Sequence, residues 1–132
     1  MSRDLIRHYF KTFNEGDADG MAALVTEDVA HHVNQGEVRH GRDAFRRFLG
    51  ETAEAYAERV ESLVIFEGDK PGRYAAEFTI NGVYKATQDG LPAARGQRYV
   101  LPVGSFFEVR GDGIARVSTH YNLIDWIEQV NL

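Results

Sequence analysis

The run Arg98-Tyr-Val-Leu-Pro-Val-Gly-Ser-Phe-Phe-Glu-Val109, followed after Arg110 by Gly111-Asp-Gly113 and then Ile114-Ala-Arg-Val-Ser-Thr-His-Tyr-Asn-Leu123, decides the class of this fold. Side chains of a strand alternate between two faces. Tyr99, Leu101, Val103, Ser105 and Phe107 therefore share one face of the first run, and Val117, Thr119 and Tyr121 one face of the second. A Gly-Asp-Gly turn between two such runs predicts an antiparallel hairpin. Working back along the chain, the same period of two returns in 60–67 and 73–87, bounded by Gly68–Gly72 and by a loop over Gln88–Gln97. In 73–87 the apolar set is Ala76, Phe78 and Ile80. Asn81-Gly82 reads either as a tight hairpin turn or as a bulge in one long bent strand. The bulge is favoured, because a sheet that curls needs bends.

Before residue 60 the period is that of helices. Leu5, Ile6, Tyr9, Phe10 and Phe13 form one apolar stripe that Asn14-Glu15-Gly16 stops. Asp17 can cap a short second helix carrying Met21, Leu24 and Val25, which ends at Glu27-Asp28. A third helix follows Gly41, with Phe45, Phe48, Leu49, Thr52, Tyr56 and Val60 on its buried face. Its charged residues, Glu51, Glu54 and Glu58 among them, fall on a solvated face. Between the second and third helices, Val29–Asn34 reads as a strand. Helices first and antiparallel strands after them predict an α+β fold, with three N-terminal helices packed on a curved, mostly antiparallel sheet. Such packing leaves a concave space suited to a small apolar molecule.

The 132 residues, 43% of them hydrophobic, suit a single domain over 1–132. A net charge of −5 argues against nucleic acid as a partner, and zero cysteines exclude a disulfide scaffold, a thiolate metal site and a cysteine nucleophile. Charges at Arg3, Asp4 and Arg7 interrupt the segment where a secretory signal would be apolar, and no run is long enough to span a membrane. The expectation is a cytoplasmic protein. No Walker loop, dinucleotide fingerprint or nucleophile elbow occurs, so neither a nucleotide cofactor nor a serine hydrolase is indicated.

Several segments in this order carry a family likeness: Tyr9-Phe-Lys-Thr-Phe-Asn-Glu-Gly-Asp17, Leu24–Asp28, Val33-Asn-Gln-Gly36, His40-Gly-Arg-Asp-Ala-Phe45, Gly90-Leu-Pro92, Ala94-Arg-Gly-Gln97, Gly104-Ser-Phe-Phe-Glu-Val109 and His120-Tyr-Asn-Leu123. Together they resemble the SnoaL-like branch of the nuclear transport factor 2 superfamily, and within it the ketosteroid-isomerase-related proteins. The resemblance implies a cone-shaped α+β barrel with one deep pocket, homodimeric through the outer face of its sheet. Ketosteroid isomerase uses an Asp base and an oxyanion hole made of a Tyr and a protonated Asp. By resemblance Tyr9 matches the oxyanion-hole tyrosine, Val33 falls where the base belongs, and Ser105 falls at or near the acid. A valine moves no proton, so steroid isomerisation by that route is not expected.

Residues two apart on a strand share a face, so if Val33 faces the pocket, His31 and Gln35 do as well. A slip of one residue would bring in His32 and Asn34 instead. His31, with His32 as the alternative, is the candidate proton shuttle, because imidazole titrates near neutral pH, and Tyr9 would polarise an oxygen. Further ligand contacts are expected from Phe78, Tyr84, Tyr99, Val103, Ser105, Phe107, Tyr121 and Trp126. No metal site is expected, since no H-x-H or H-E-x-x-H pattern occurs. Three functions compete: an acid–base enzyme acting on an apolar carbonyl compound, a binding protein for such a compound, and a dimeric association domain. Any proton chemistry left to the chain rests on histidine, tyrosine or a carboxylate that the sequence does not place.

Overall fold

A computed structural model describes residues 2–132. The hairpin forms where the turn chemistry puts it. Strand β5 (Gln97–Arg110) pairs antiparallel with β6 (Gly113–Tyr121), and Gly111 takes the left-handed φ of 63° that the tight connection requires. Strands β3 (Tyr56–Glu67) and β4 (Arg73–Tyr84) extend the sheet on one side, and β1 (Val25–Val33) with the two-residue β2 (Arg39–His40) extends it on the other. The order is β2-β1-β6-β5-β4-β3, antiparallel throughout except for the parallel pair β1 and β6. The sheet curves without closing, so the cone stays open between its two outer strands.

Three helices precede the long strands: α1 (Ser2–Asn14), α2 (Ala18–Ala23) and α3 (Arg42–Ala55). Asp17 caps α2 by accepting from the Gly20 amide at 2.8 Å. The stripe of α1 lies against the sheet, and Ile6, Tyr9 and Phe10 are buried there with Phe45, Phe107 and Val117. Tyr9 and Phe10 meet Phe107 edge-on at ring separations of 5.6 and 5.8 Å, and fully burying one such side chain is worth about 1.5–3 kcal/mol. The far end of α1 is tied to β3: the Asn14 amide accepts from the Val60 N–H at 2.8 Å and donates to its carbonyl at 3.0 Å.

Four expectations need correction. Helix α2 ends before Val25, which is a strand residue, and α3 ends at Ala55, so Tyr56, Glu58 and Val60 belong to β3. Asn81-Gly82 is neither a turn nor a bulge, since β4 pairs without interruption from Arg73↔Glu108 to Tyr84↔Gln97. The bend lies next door in β3, between Glu61 and Val64, where Ser62 has a φ of 55°. Finally, a fourth helix, α4 (Leu123–Val130), follows β6, capped by the Asn122 side chain accepting from the Asp125 amide at 3.1 Å. Among the described residues no helix is long and apolar enough to cross a membrane.

Candidate functional site

Between the concave face of the sheet and the helices lies a cavity of about 460 Å³. Inward-facing alternation brings Phe78 and Ile80 from β4, Leu101, Val103 and Ser105 from β5, and Thr119 and Tyr121 from β6. Helix α1 supplies Tyr9, Phe10 and Phe13, α3 supplies Phe48, Leu49 and Thr52, and α4 supplies Trp126. Gln88 and Leu91 reach in from the loop before β5. The lining is predominantly apolar. Its ionisable members are Tyr9, His31, Tyr56, Glu58 and Tyr121, and among the described residues it includes no Lys, Arg or Asp.

Two of these groups sit on strands far apart in the sheet order. On β1, His31 is 4% exposed and is held edge-on by Phe45 and Phe48 at ring separations of 5.1 and 4.7 Å. Burial, reinforced by the charges of Arg39 and His32, lowers its pKa from 6.5 to about 4, so the imidazole is neutral at pH 7. Val33, Asn34 and Gln35 line the cavity beside it. Simple alternation would have excluded Asn34. The strand ends at Val33, however, and Asn34 takes a left-handed φ of 50°, a conformation asparagine tolerates, while its Oδ1 accepts from the Tyr121 N–H at 2.8 Å.

On β3 the cavity holds one carboxylate, Glu58. Its Oε2 accepts from the Tyr99 hydroxyl at 2.6 Å. Loss of water pushes the Glu58 carboxyl above the usual carboxylate range, and the Tyr99 hydrogen bond pulls it part of the way back. Burial raises the phenols of Tyr9, Tyr56, Tyr99 and Tyr121 as well, so all four stay protonated at neutral pH. Tyr9 lines the cavity, and two lining side chains carry a buried nitrogen with no hydrogen-bond partner among the described residues, His31 Nδ1 and Asn34 Nδ2.

Of the side chains expected at a ligand, Tyr9, His31, Val33, Asn34, Gln35, Phe78, Val103, Ser105, Tyr121 and Trp126 come together around this cavity. Four do not line it. His32 points to the opposite face of the sheet, where its ring nitrogen is 3.5 Å from Ser118 Oγ and its ring 5.6 Å from that of His120. Tyr84 is fully buried, with its hydroxyl donating to the Pro92 carbonyl at 2.7 Å and accepting from the Gln88 amide at 3.0 Å. Tyr99 and Phe107 face inward as their alternation requires, but they lie beneath the lining, Tyr99 against Glu58 and Phe107 under Tyr9 and Phe10. Of the ionisable lining residues, sequence reasoning missed two: Glu58, placed there on a solvated helix face, and Tyr56, placed on the buried face of the same helix. A signal existed: Tyr56, Glu58 and Val60 alternate with Ala57, Arg59 and Glu61, a period of two inside what reads as the end of a helix.

The model of the SnoaL-like domain family matches residues 6–117. Among curated proteins none matches the chain. A protein of Silicibacter sp. TM1040, provisionally named a polyketide cyclase, is 52% identical, with 96% of this chain and 93% of that one covered at a TM-score of 0.94. A second provisional polyketide cyclase, from Pseudomonas putida KT2440, is 45% identical over 96% of this chain and 95% of its own, at a TM-score of 0.93. A protein of Catenulispora acidiphila DSM 44928 with a ketosteroid isomerase-like fold shares 14% identity over 97% and 92% of the two chains, at a TM-score of 0.71, a likeness of fold alone.

Proposed function

The chain belongs to the SnoaL-like domain family, and from that premise we propose that it is an acid–base enzyme acting on an uncharged, apolar, carbonyl-bearing molecule held in the cavity. The observation that carries the reading is Glu58, the only carboxylate among the described residues of a lining that otherwise offers rings, aliphatic chains and neutral polar groups. Glu58 removes a proton from the carbon beside a carbonyl. The Tyr9 hydroxyl and the neutral His31 imidazole, whose Nδ1 has no hydrogen-bond partner among the described residues, donate to the oxygen on which charge develops. A group held at a pKa of about 4 is a weak base at neutral pH, so His31 serves better as a neutral donor than as the shuttle. The relatives named as cyclases support an intramolecular reaction. In it the carbanion formed at Glu58 attacks a second carbonyl of the same molecule, a carbon–carbon bond forms, and the resulting alkoxide takes a proton back.

The natural substrate need not be identified for a test. Apolar ketones of graded size are incubated with the protein in deuterated water, and exchange of the protons beside the carbonyl is followed by NMR. Wild-type protein should accelerate exchange for at least one ketone, and Glu58→Gln should lose that acceleration. Thermal stabilisation by a ketone with no exchange at all would make the protein a binder instead.

We further propose a homodimer formed through the outer face of the sheet, where Phe66, Val100 and Phe106 stand exposed. Sedimentation velocity should show a dimer that Phe106→Glu dissociates. A monomer at every concentration would remove this reading.

A further inference from the structure

Glu58, Gly82 and Tyr99 occupy one row across β3, β4 and β5. The middle position carries no side chain, and the space is taken: a Cβ at Gly82 would lie 2.3 Å from Tyr99 Cζ and 2.5 Å from its hydroxyl oxygen. Gly82 does not have a left-handed φ, so conformational freedom is not what glycine provides here. It provides room. The Tyr99 ring crosses over β4 through that room, and its hydroxyl meets Glu58 Oε2 at 2.6 Å, the length of a charge-assisted hydrogen bond. Tyr99 itself is 2% exposed and does not line the cavity.

Among the described residues no other side chain is hydrogen-bonded to this carboxylate. The titratable groups facing Glu58 are the phenols of Tyr56 on its own strand, Tyr99 on β5 and Tyr121 on β6. Helices α1 and α3, which pack against β3, bring Phe13, Leu49 and Thr52 to the cavity and no charge. A carboxylate in such surroundings keeps its proton unless a donor stabilises the charged form.

We infer that Tyr99 is the positioning residue of Glu58 and that Gly82 is the residue that admits it. The phenol reaching across β4 fixes where the carboxylate points and lets it release and retake a proton in an apolar cavity. The inference rests on the reading of Glu58 as the proton-transfer group, and its test is built so that the two fail separately.

Glu58 is titrated by carbon NMR in protein carrying labelled glutamate, with Glu58→Gln assigning the signal. Tyr99→Phe should raise the Glu58 midpoint by about one pH unit or more, because a hydrogen bond to the charged form is removed. The pH at which ketone exchange reaches half its maximum should rise with it. Gly82→Ala should move the midpoint the same way, since the added methyl displaces the ring. Fluorotyrosine at position 99, a more acidic phenol of nearly the same size, should lower the midpoint, and it keeps the test available where Tyr99→Phe fails to fold. A midpoint unmoved by fluorotyrosine and by Tyr99→Phe overturns the inference, whatever Glu58→Gln does to exchange. A midpoint that moves while Glu58→Gln exchanges at the wild-type rate upholds the role of Tyr99 and removes the catalytic reading of Glu58.

Discussion

His31 and Glu58 are a matched pair with opposite signs. Both face one apolar cavity, from strands at nearly opposite ends of the sheet order, and burial works on both in favour of the neutral form. For an imidazole that form is the deprotonated one, already usual at pH 7. For a carboxyl it is the protonated one, which physiological pH would otherwise remove. The same loss of water therefore makes His31 inert as a base and pushes the Glu58 carboxyl above the usual carboxylate range, with the Tyr99 hydrogen bond countering the burial at Glu58 only. A cavity built this way disfavours anionic ligands, because among the described residues its lining includes no Lys or Arg to compensate one.

The largest effect should separate the two in catalysis. Glu58→Gln should slow ketone exchange by about 10²–10⁴-fold, the range for losing a positioned acid–base group. His31→Gln keeps a neutral hydrogen-bonding side chain and should cost about tenfold or less on the same basis. Were the order reversed, His31 would be the base and the contrast between the two ends of the cavity would collapse.

Acid stability should separate them next, in opposite directions. Between pH 6.5 and about 4 the unfolded chain binds a proton at His31 that the folded chain refuses, so stability falls as pH drops through that window. The full contribution is on the order of 3 kcal/mol. Glu58 runs the other way: its folded pKa is raised, so its charged form costs stability at neutral pH, and that cost disappears as pH falls through the folded pKa. Urea unfolding at a series of pH values should show a flatter acid limb in His31→Gln than in wild type. Glu58→Gln should be more stable than wild type at pH 7, the two converging in acid. A His31→Gln protein with the wild-type pH profile would mean that the imidazole is solvated after all.

The sequence makes His31 legible and hides Glu58 for a physical reason. Strand alternation is local, so fixing one residue of β1 fixes its neighbours, and the register His31↔Val117 and His32↔Ser118 turns one ring inward and the other out. Glu58 depends on where α3 stops, and helix ends are set by tertiary contacts that override a weak local preference. Tyr56 and Val60 suit a helix stripe as well as a strand face. What commits them to a strand is their pairing with Tyr84 and Ile80 on β4, distant in sequence. The hairpin at 97–121 was readable because its turn and both alternations agree. Helix α4 was not, because Leu123-Ile-Asp-Trp-Ile-Glu-Gln-Val130 is short and continues the apolar run of β6, with the Asn122 cap its only marker.

A smaller effect should come from behind the lining. Tyr84 secures the loop that carries Gln88 and Leu91 into the cavity through two hydrogen bonds of its hydroxyl. Tyr84→Phe keeps the packing, with its ring stacked on Tyr56 at 5.5 Å and edge-on to Trp126 at 4.9 Å, and loses only those bonds. It should cost about 1–2 kcal/mol in urea unfolding and speed amide exchange in the loop. Equal amide exchange in the two proteins would show that the loop is held by other contacts.

The smallest effect should fall on His32. It lies one position from His31, yet it faces the other side of the sheet, near Ser118 and His120. The 3.5 Å separation from Ser118 Oγ is the outer limit of a hydrogen bond, and Ser118 has a much closer partner in His120 Nε2 at 2.6 Å. His32→Ala should therefore change stability by less than about 1 kcal/mol. It should leave ketone affinity and exchange unchanged, while His31→Ala, which empties a site packed between Phe45 and Phe48, should weaken both. Loss of exchange in His32→Ala would mean that the sheet's outer face communicates with the cavity, and the division between the two faces would have to be redrawn.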